Sequence, residues 1–266
     1  MPVSMRHSLF PFLFFALFLA AFAGCQKEED PQQTEDPRAS LAFETVLLNQ
    51  GQEIAIGDTL MLSNGHLFNL KKFKLYLSHI TLIDEVGRRE QLREVVLVDV
   101  GDENTGAFNL RLPKAKYASM EMGLGLDSVL NNSDPTAFDN DHPLSSWQQT
   151  YWTMLKYRFA ILEGRSNPNG SFDPASDILH AYHPGTDPLF RTLQKNLSLD
   201  LDQFNQGKIQ LRIDLDDLFN HPPAIDMVNE PQTHSEPIDI ETARKMMNNL
   251  QATAQVTADV AVGIAN

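Results

Sequence analysis

Residues 67–83 read LFNLKKFKLYLSHITLI, and their apolar side chains recur at every second position over much of the stretch. Phe73, Leu75 and Leu77 fall on one side of an extended chain, while Tyr76 and Ile80 fall on the other. A repeat of two residues is typical of a β-strand, because successive side chains point to opposite faces. The stretch therefore predicts a long strand and favours a β-rich fold.

Further apolar segments flank this strand at intervals of about ten residues, the spacing typical of an all-β sandwich or barrel. They are residues 41–47, 59–62, 93–100, 108–112, 117–126, 152–162, 193–201, 208–213 and 254–264. Helical spacing is confined to one turn at residues 215–219 and a short C-terminal helix at 239–250. No internal repeat is visible, and we expect residues 40–266 to form one domain.

Two polar stretches, residues 127–146 and 165–175, are predicted to be loops, and a loop as long as the first is usually functional or disordered. Side-chain oxygens are frequent in both: Asp134, Asp139 and Asp141 in the first, and Asn167, Asn169, Ser171 and Asp173 in the second. Calcium takes six to eight oxygen ligands, and neither loop supplies a full set. Calcium binding is one interpretation, and turns held by side-chain hydrogen bonds are the other.

The first 24 residues have the organisation of a secretory signal peptide. Arg6 is followed by an apolar run over residues 8–23, and Ala23-Gly24 precede Cys25. Small residues before a cysteine resemble the lipobox of bacterial lipoproteins, which implies lipidation of Cys25 and attachment to a membrane. The alternative is a transmembrane anchor, but the run is shorter than the roughly 20 apolar residues that a span needs.

Residues 25–39 are rich in proline, glutamine, threonine and acids, a composition that predicts a disordered acidic tether. The Lys-Glu-Glu-Asp run at residues 27–30 resembles the surface-export signal of Bacteroidetes lipoproteins. We therefore expect an outer-membrane lipoprotein exposed on the cell surface. A periplasm-facing lipoprotein is the alternative.

Composition excludes several classes of function. The formal net charge of −14 argues against nucleic acid as a partner, since phosphate binding requires basic patches. Because Cys25 is the single cysteine, the chain has no internal disulfide, no zinc–thiolate centre and no cysteine nucleophile. Gly-rich phosphate loops, nucleophile elbows and His-Glu-x-x-His helices are absent from the sequence. We expect a binding protein rather than an enzyme; a hydrolase has no positive signal.

Histidines offer a possible metal site, because imidazole suits copper, zinc, iron and nickel. The candidates are His66, His79, His142, His180, His183, His221 and His234. No spacing among them is diagnostic. His180 and His183 are three positions apart, so on a strand they would point to opposite faces.

Several motifs, in order along residues 41–256, resemble those of the copper-binding MbnP-like family. They are Tyr76-Leu77-Ser78, Gly125-x-Asp127, Tyr151-Trp152-Thr153 with Glu163-Gly164, Tyr182-His183-Pro184-Gly185, and Thr233-His234-Ser235. The resemblance implies a β-sandwich with long loops at one end.

The same resemblance implies a copper cofactor. In founding members of the family, copper is held by histidines and by a tryptophan-derived kynurenine that a partner dihaem peroxidase forms. Carried over to this chain, His183 and His234 match the motif histidines, and His142 is a weaker third candidate. Trp152 matches the motif tryptophan, with Trp147 as the alternative for oxidation.

The chain departs from the family pattern at two positions near this tryptophan. Met154 stands where a second tryptophan is common, and Lys156 stands where a glycine is common.

Asp187 and Glu236 lie near the motif histidines in sequence. Either could therefore accept a hydrogen bond from the second ring nitrogen of a ligand histidine.

Each candidate also has an interpretation without metal. Trp152 could be a core residue, His183 could brace its turn, His234 could lead into the helix, and His142 could be a solvated loop residue. The expected function is a lipid-anchored, extracytoplasmic copper-binding protein in copper acquisition or handling. The alternative is a metal-free structural or partner-binding surface lipoprotein.

Overall fold

The computed structural model describes residues 38–102 and 105–260. The predicted signal peptide, Cys25 and nearly all of the predicted tether (residues 25–39) lie outside these ranges. No helix in the described ranges is long and apolar enough to cross a membrane.

β-Strands are the main secondary structure of the described chain. These are β1 Arg38–Asn49, β2 Gln52–Glu53, β3 Thr59–Met61, β4 Leu67–Asp84, β5 Arg89–Asp99, β6 Phe108–Pro113, β7 Lys116–Leu124, β8 Tyr151–Trp152, β9 Lys156–Tyr157, β10 Ala160–Asn167, β11 Ile178–Tyr182, β12 Arg191–Asp200, β13 Gln206–Asp214, β14 Gln232–Thr233 and β15 Gln255–Val260. The α-helices are α1 Ser128–Asn131, α2 Leu215–Asn220 and α3 Ile240–Thr253. Single 3₁₀ turns cover Pro135–Ala137, Ser146–Gln148 and Asp187–Leu189.

The strands form two main sheets, and the all-β sandwich expected from the sequence is confirmed. The first sheet has the order β15-β13-β1-β2, with β6 also paired to β1. The second has the order β12-β7-β4-β10-β11-β14, with β3 and β5 also paired to β4. A separate two-stranded sheet joins β8 and β9. One continuous apolar core takes side chains from both large sheets and from α3.

Strand β4 matches the predicted strand within one residue, but both of its faces are covered. Leu75 and Leu77 are buried on one side, and Tyr76 and Ile80 are buried on the other. The Tyr76 hydroxyl donates a hydrogen bond to the Pro143 carbonyl at 2.7 Å, so the long polar loop folds over this face. A sandwich strand with one solvated face would alternate more cleanly than residues 67–83 do.

The prediction of one strand over residues 152–162 is wrong. The segment splits into β8, β9 and the start of β10. The Leu155 backbone N–H bonds to the Trp152 carbonyl at 3.2 Å, which closes a turn between β8 and β9. Lys156 has a φ of 62°, in the left-handed region that ends an extended run. Trp152 therefore lies in a short hairpin that is not part of either large sheet.

Helix α3 appears where helical spacing predicted it, with Ala243, Met246, Met247 and Leu250 buried. Its N-cap residue, Asp239, makes no capping bond with its side chain. The carboxylate is instead engaged by the segment just before the helix, at the candidate site described next.

Candidate metal centre

The end of β11 and the end of β14 place two histidines side by side. The two strands are parallel, with Tyr182 opposite Thr233. His183 and His234 are the residues that directly follow the two strands. The His183 backbone N–H donates to the Thr233 carbonyl at 2.8 Å. The two imidazole rings are 5.1 Å apart between centroids and nearly perpendicular. Residues remote in sequence thus meet through one short parallel pairing.

Trp152 from the β8–β9 hairpin completes an aromatic cluster with these histidines. Its ring centroid lies 5.3 Å from that of His234, with the planes nearly parallel, and 5.7 Å from that of His183, with the planes perpendicular. The Arg158 guanidinium lies 4.6 Å from the indole centroid, a cation–π contact. Trp152 is half-buried and therefore belongs to the site rather than to the sandwich core.

His183 is held by a carboxylate. Its Nε2 lies 2.9 Å from Oε1 of Glu163, and Glu163 also pairs with Lys72 at 3.5 Å. Burial of the Glu163 carboxyl raises its pKa, but the hydrogen bond from His183 and the charge of Lys72 outweigh this, so the net pKa is lowered. Glu163 is therefore ionised at neutral pH and accepts the proton of Nε2.

The other ring nitrogen of His183 has no partner. Burial lowers the pKa of His183 to about 4, against the opposing effect of the Glu163 bond, so the ring is neutral at pH 7. Because Nε2 carries the proton, Nδ1 presents a lone pair. Nδ1 is buried and makes no hydrogen bond. Unpartnered buried polar atoms are rare in native proteins, and a bound metal ion would satisfy this one.

His234 is positioned by Asp239. Its backbone N–H donates to Oδ2 of Asp239 at 2.9 Å, while Oδ1 accepts from the Glu236 N–H and the Thr233 hydroxyl. Ser235 adopts a φ of 63° and accepts a hydrogen bond from the Gly185 N–H at 2.8 Å. The two histidine-bearing turns are thereby tied together. Within the described residues, no hydrogen bond engages the His234 ring.

The donor set fits copper. Two imidazoles with no thiolate, and with their nearby carboxylate bonded to a ring N–H, suit copper better than calcium or magnesium. Across the described ranges, no group of three or more His, Cys, Asp or Glu side chains is arranged to hold a metal ion. His183 and His234 would be the imidazole ligands.

His142 does not join this cluster. Its ring stacks on Phe138 at 4.2 Å, and its Nδ1 accepts a hydrogen bond from the Leu144 N–H. The Gln148 side chain donates to the His142 carbonyl, which folds this loop back on itself. His142 lines a different cavity, with Arg93 and Gln148. The structure gives no support for it as a third ligand.

Other expected positions are also placed elsewhere. Trp147 is 70 % exposed on a 3₁₀ turn and makes no ring contact with either histidine within the described residues. Asp187, expected behind a ligand, accepts from the Asn131 amide instead. Glu236 is exposed and lines the cavity beside His234 without bonding to its ring.

The oxygen-rich loops are turns held by their own hydrogen bonds. The Asn167 side chain donates to Ser176 and Asp177, and its oxygen accepts from the Asn169 N–H. Asp173 accepts from the Ala175 N–H. In the other loop, Asp134 accepts from the backbone and hydroxyl of Thr136. These bonds favour the interpretation without calcium.

Three residues that organise the site were not singled out from the sequence as such: Glu163, Arg158 and Asp239. Glu163-Gly164 was noted as part of a motif. The charge of Glu163 within an otherwise apolar stretch of strand β10 could have indicated that this residue has a role in the site. The strand pairing shifts register between Glu163 and Gly164 opposite β4, as at a β-bulge.

His180 behaves as expected for a residue three positions before His183 on a strand. It is buried, with Nε2 2.7 Å from the Ser166 hydroxyl and Nδ1 3.1 Å from the Tyr182 hydroxyl. Its ring packs against Phe68 and Tyr182, not against the metal centre. His180 is therefore a core residue.

Comparison with known proteins identifies the family. The model of the MbnP family matches residues 37–258. A solved structure, MbnP from Methylosinus trichosporium, is similar to this chain with 16% sequence identity and a TM-score of 0.45, covering 68% of this chain and 77% of that one. No curated protein matches the chain. With the family model spanning most of the sequence, the chain belongs to the MbnP family.

Proposed function

We propose that this protein binds one copper ion between His183 and His234. The observation that carries the proposal is the buried, unpartnered Nδ1 of His183, on a neutral ring 5.1 Å from that of His234. Glu163 fixes this ring from behind, as carboxylates commonly do for metal-bound imidazoles. Membership of the MbnP family supports copper as the metal.

In this proposal the chain's own residues select and orient the metal. Glu163 holds the proton on Nε2 of His183 and so keeps Nδ1 free for binding. Asp239 fixes the turn that carries His234. The bound copper would be an ion that the protein either stores reversibly or carries. No catalytic step is assigned to it. The protein is accordingly proposed to act in copper acquisition or handling and not as an enzyme.

The test is the copper content of full-length protein produced with copper, measured for wild type, His183→Ala, His234→Ala and His142→Ala. We expect about one copper per chain in wild type and in His142→Ala, and a loss of most of the metal in the other two. Full copper content in both His183→Ala and His234→Ala would refute these ligands. If the wild-type protein takes up no copper, the remaining candidate function is that of a metal-free, structural or partner-binding lipoprotein.

We further propose that Trp152, rather than Trp147, is the residue that a partner dihaem peroxidase oxidises to kynurenine. Trp152 contacts both histidines, whereas Trp147 contacts neither in the described structure. In this conversion two molecules of hydrogen peroxide are the oxidant: two oxygen atoms are added as the indole C2–C3 bond breaks, and two molecules of water are released. Hydrolysis of the resulting N-formyl group by one water then releases C2 as formate and leaves kynurenine. Mass spectrometry of natively produced protein should place the modification on the peptide that contains Trp152. Unmodified Trp152 would overturn this part of the proposal.

The proposed location is the outer membrane, with the domain held by lipid on Cys25 and exposed on the cell surface. The support is the sequence before residue 40, which has the pattern of a signal peptide, a lipobox-like cysteine and the composition of an acidic tether. Cys25→Ala should abolish lipid labelling. Protease added to intact cells should degrade the wild-type protein; protection would favour the periplasm-facing alternative.

A further inference from the structure

The two histidines leave the proposed metal site short of ligands. Within the described ranges no third His, Cys, Asp or Glu side chain converges with them. Glu163 is already engaged by His183 and Lys72. A further protein ligand would therefore have to come from a side chain that lines the space next to these histidines.

Met154 lies at the tip of the β8–β9 hairpin, directly beside this site. The hairpin turn is closed by the bond from the Leu155 N–H to the Trp152 carbonyl. Met154 is 87 % exposed, so its thioether is not used for packing. A single exposed apolar side chain needs no explanation by itself, and the position of this one relative to the cavity matters more.

An open cavity of about 620 Å³ is shared by Met154 and His234. Its lining residues are Tyr151, Trp152, Thr153, Met154, Leu155, His234 and Glu236. Met154 and His234 thus share a solvent-accessible space through which an ion can reach the site. The methionine side chain has three rotatable side-chain bonds, so its sulfur can adapt to an ion held by His234.

We propose that the Met154 thioether is a ligand to the same copper ion and that it makes the site selective for Cu(I). This inference rests on the proposed copper site. Two imidazoles and one thioether form a soft donor set, and thioether sulfur selects Cu(I). Glu236, which lines the same cavity, is the competing candidate; a carboxylate oxygen is a harder donor and suits Cu(II) better.

The test compares the affinities of full-length wild type, Met154→Leu and Glu236→Gln for each oxidation state, by competition with chromophoric chelators. Cu(I) is measured without oxygen and in the presence of reductant. Leucine keeps the size and apolarity of the side chain and removes the sulfur. Met61→Leu is the matched control, since Met61 is 50 % exposed on β3 and does not line this cavity.

We expect Met154→Leu to weaken Cu(I) binding by about tenfold or more, with Cu(II) binding unchanged, and Met61→Leu to change neither. In wild type labelled with ¹³C at the methionine methyl groups, Ag(I) should shift the Met154 resonance. Cu(I) affinity equal to wild type in Met154→Leu would overturn the inference, as would a loss confined to Glu236→Gln.

Failure of this inference is distinguishable from failure of the copper site itself. If wild type binds no copper in either oxidation state, the proposed function fails. If wild type binds copper and His183→Ala and His234→Ala lose it, while Met154→Leu retains full Cu(I) affinity, only the role of Met154 is removed.

Discussion

Nε2 of His183 lies 2.9 Å from Oε1 of Glu163, and this bond leaves Nδ1 of the same ring buried and without a hydrogen-bond partner. Nε2 is thereby held by a hydrogen bond, and Nδ1 is available to bind a metal ion. The arrangement suits a metal ligand, because the outer bond sets both the tautomer and the orientation of the ring. A histidine that merely braced a turn would be expected to use both nitrogens.

Removal of the Glu163 carboxylate should weaken copper binding without removing a ligand. In Glu163→Ala the Nε2 proton loses its acceptor, so the orientation of His183 is no longer set. We expect copper affinity to fall by about 10- to 100-fold. Glu163→Gln, whose amide oxygen can still accept the proton, should lose less. Chelator competition measures both, and equal affinities for all three proteins would contradict the role of Glu163.

His180 should make the stability of the metal-free protein depend on pH. Burial lowers its pKa to about 4, from an ordinary value near 6.5. The folded state therefore resists protonation that the unfolded chain accepts, so the stabilising contribution is full above pH 6.5 and is lost as the pH falls towards 4.

Urea unfolding measured between pH 4 and pH 7 checks this dependence in wild type and in His180→Gln. The variant is expected to be less stable at every pH, because it loses the bonds to Ser166 and Tyr182. Its decline in the free energy of unfolding on acidification should nevertheless be smaller than that of wild type. Parallel pH profiles would show that His180 is not the group responsible.

Arg158 should hold Trp152 in place. Its guanidinium covers the indole and donates hydrogen bonds to the backbone carbonyls of Gln149 and Thr150. Arg158→Met keeps much of the side-chain length but removes the charge and these bonds, at a cost of about 0.5–1 kcal/mol for the cation–π contact. In a Trp147→Phe background, acrylamide should quench Trp152 fluorescence more strongly in the variant. Unchanged quenching would show that the hairpin is held without Arg158.

Gly185 should not tolerate a side chain. An added Cβ would lie 2.6 Å from the Tyr157 carbonyl oxygen, and the Gly185 N–H is bonded to Ser235. Gly185→Ala should therefore push apart the turns that carry the two histidines, destabilise the fold by about 1–3 kcal/mol and lower copper affinity.

Gly101→Ala is the matched control for that substitution, because a Cβ there meets nothing closer than 3.4 Å. Thermal unfolding and copper competition should separate the two variants. A Gly185→Ala protein as stable as Gly101→Ala, with wild-type copper affinity, would show that the close packing of these turns is not required.

Much of the sandwich could be predicted from the sequence, because its strands and α3 carry their own periodicity. The helix at 239–250 is an example in which burial follows the pattern of side chains. Residues 67–83 form the predicted strand, although both of its faces are buried. The break between β8 and β10 was missed because aromatic and apolar residues continue across it. Lys156 has a left-handed backbone conformation, which a lysine in the sequence does not indicate.

The site was less predictable than the fold. His183 and His234 were singled out by family resemblance, since their proximity depends on the two-residue strand β14, which no periodicity indicates. Glu163 was noted only as part of the Glu163-Gly164 motif, with no role assigned to its carboxylate. Its role follows only from the tertiary contact with His183. His142 was a plausible ligand in sequence, but its own loop uses its Nδ1.

The most direct test is anomalous diffraction at the copper absorption edge from crystals of the copper-loaded full-length protein. The account predicts one anomalous peak at coordination distance from Nδ1 of His183 and from a ring nitrogen of His234, with the Glu163–Nε2 bond intact. A peak at Nε2 of His183 with Glu163 displaced, or a peak at His142 instead, would contradict it.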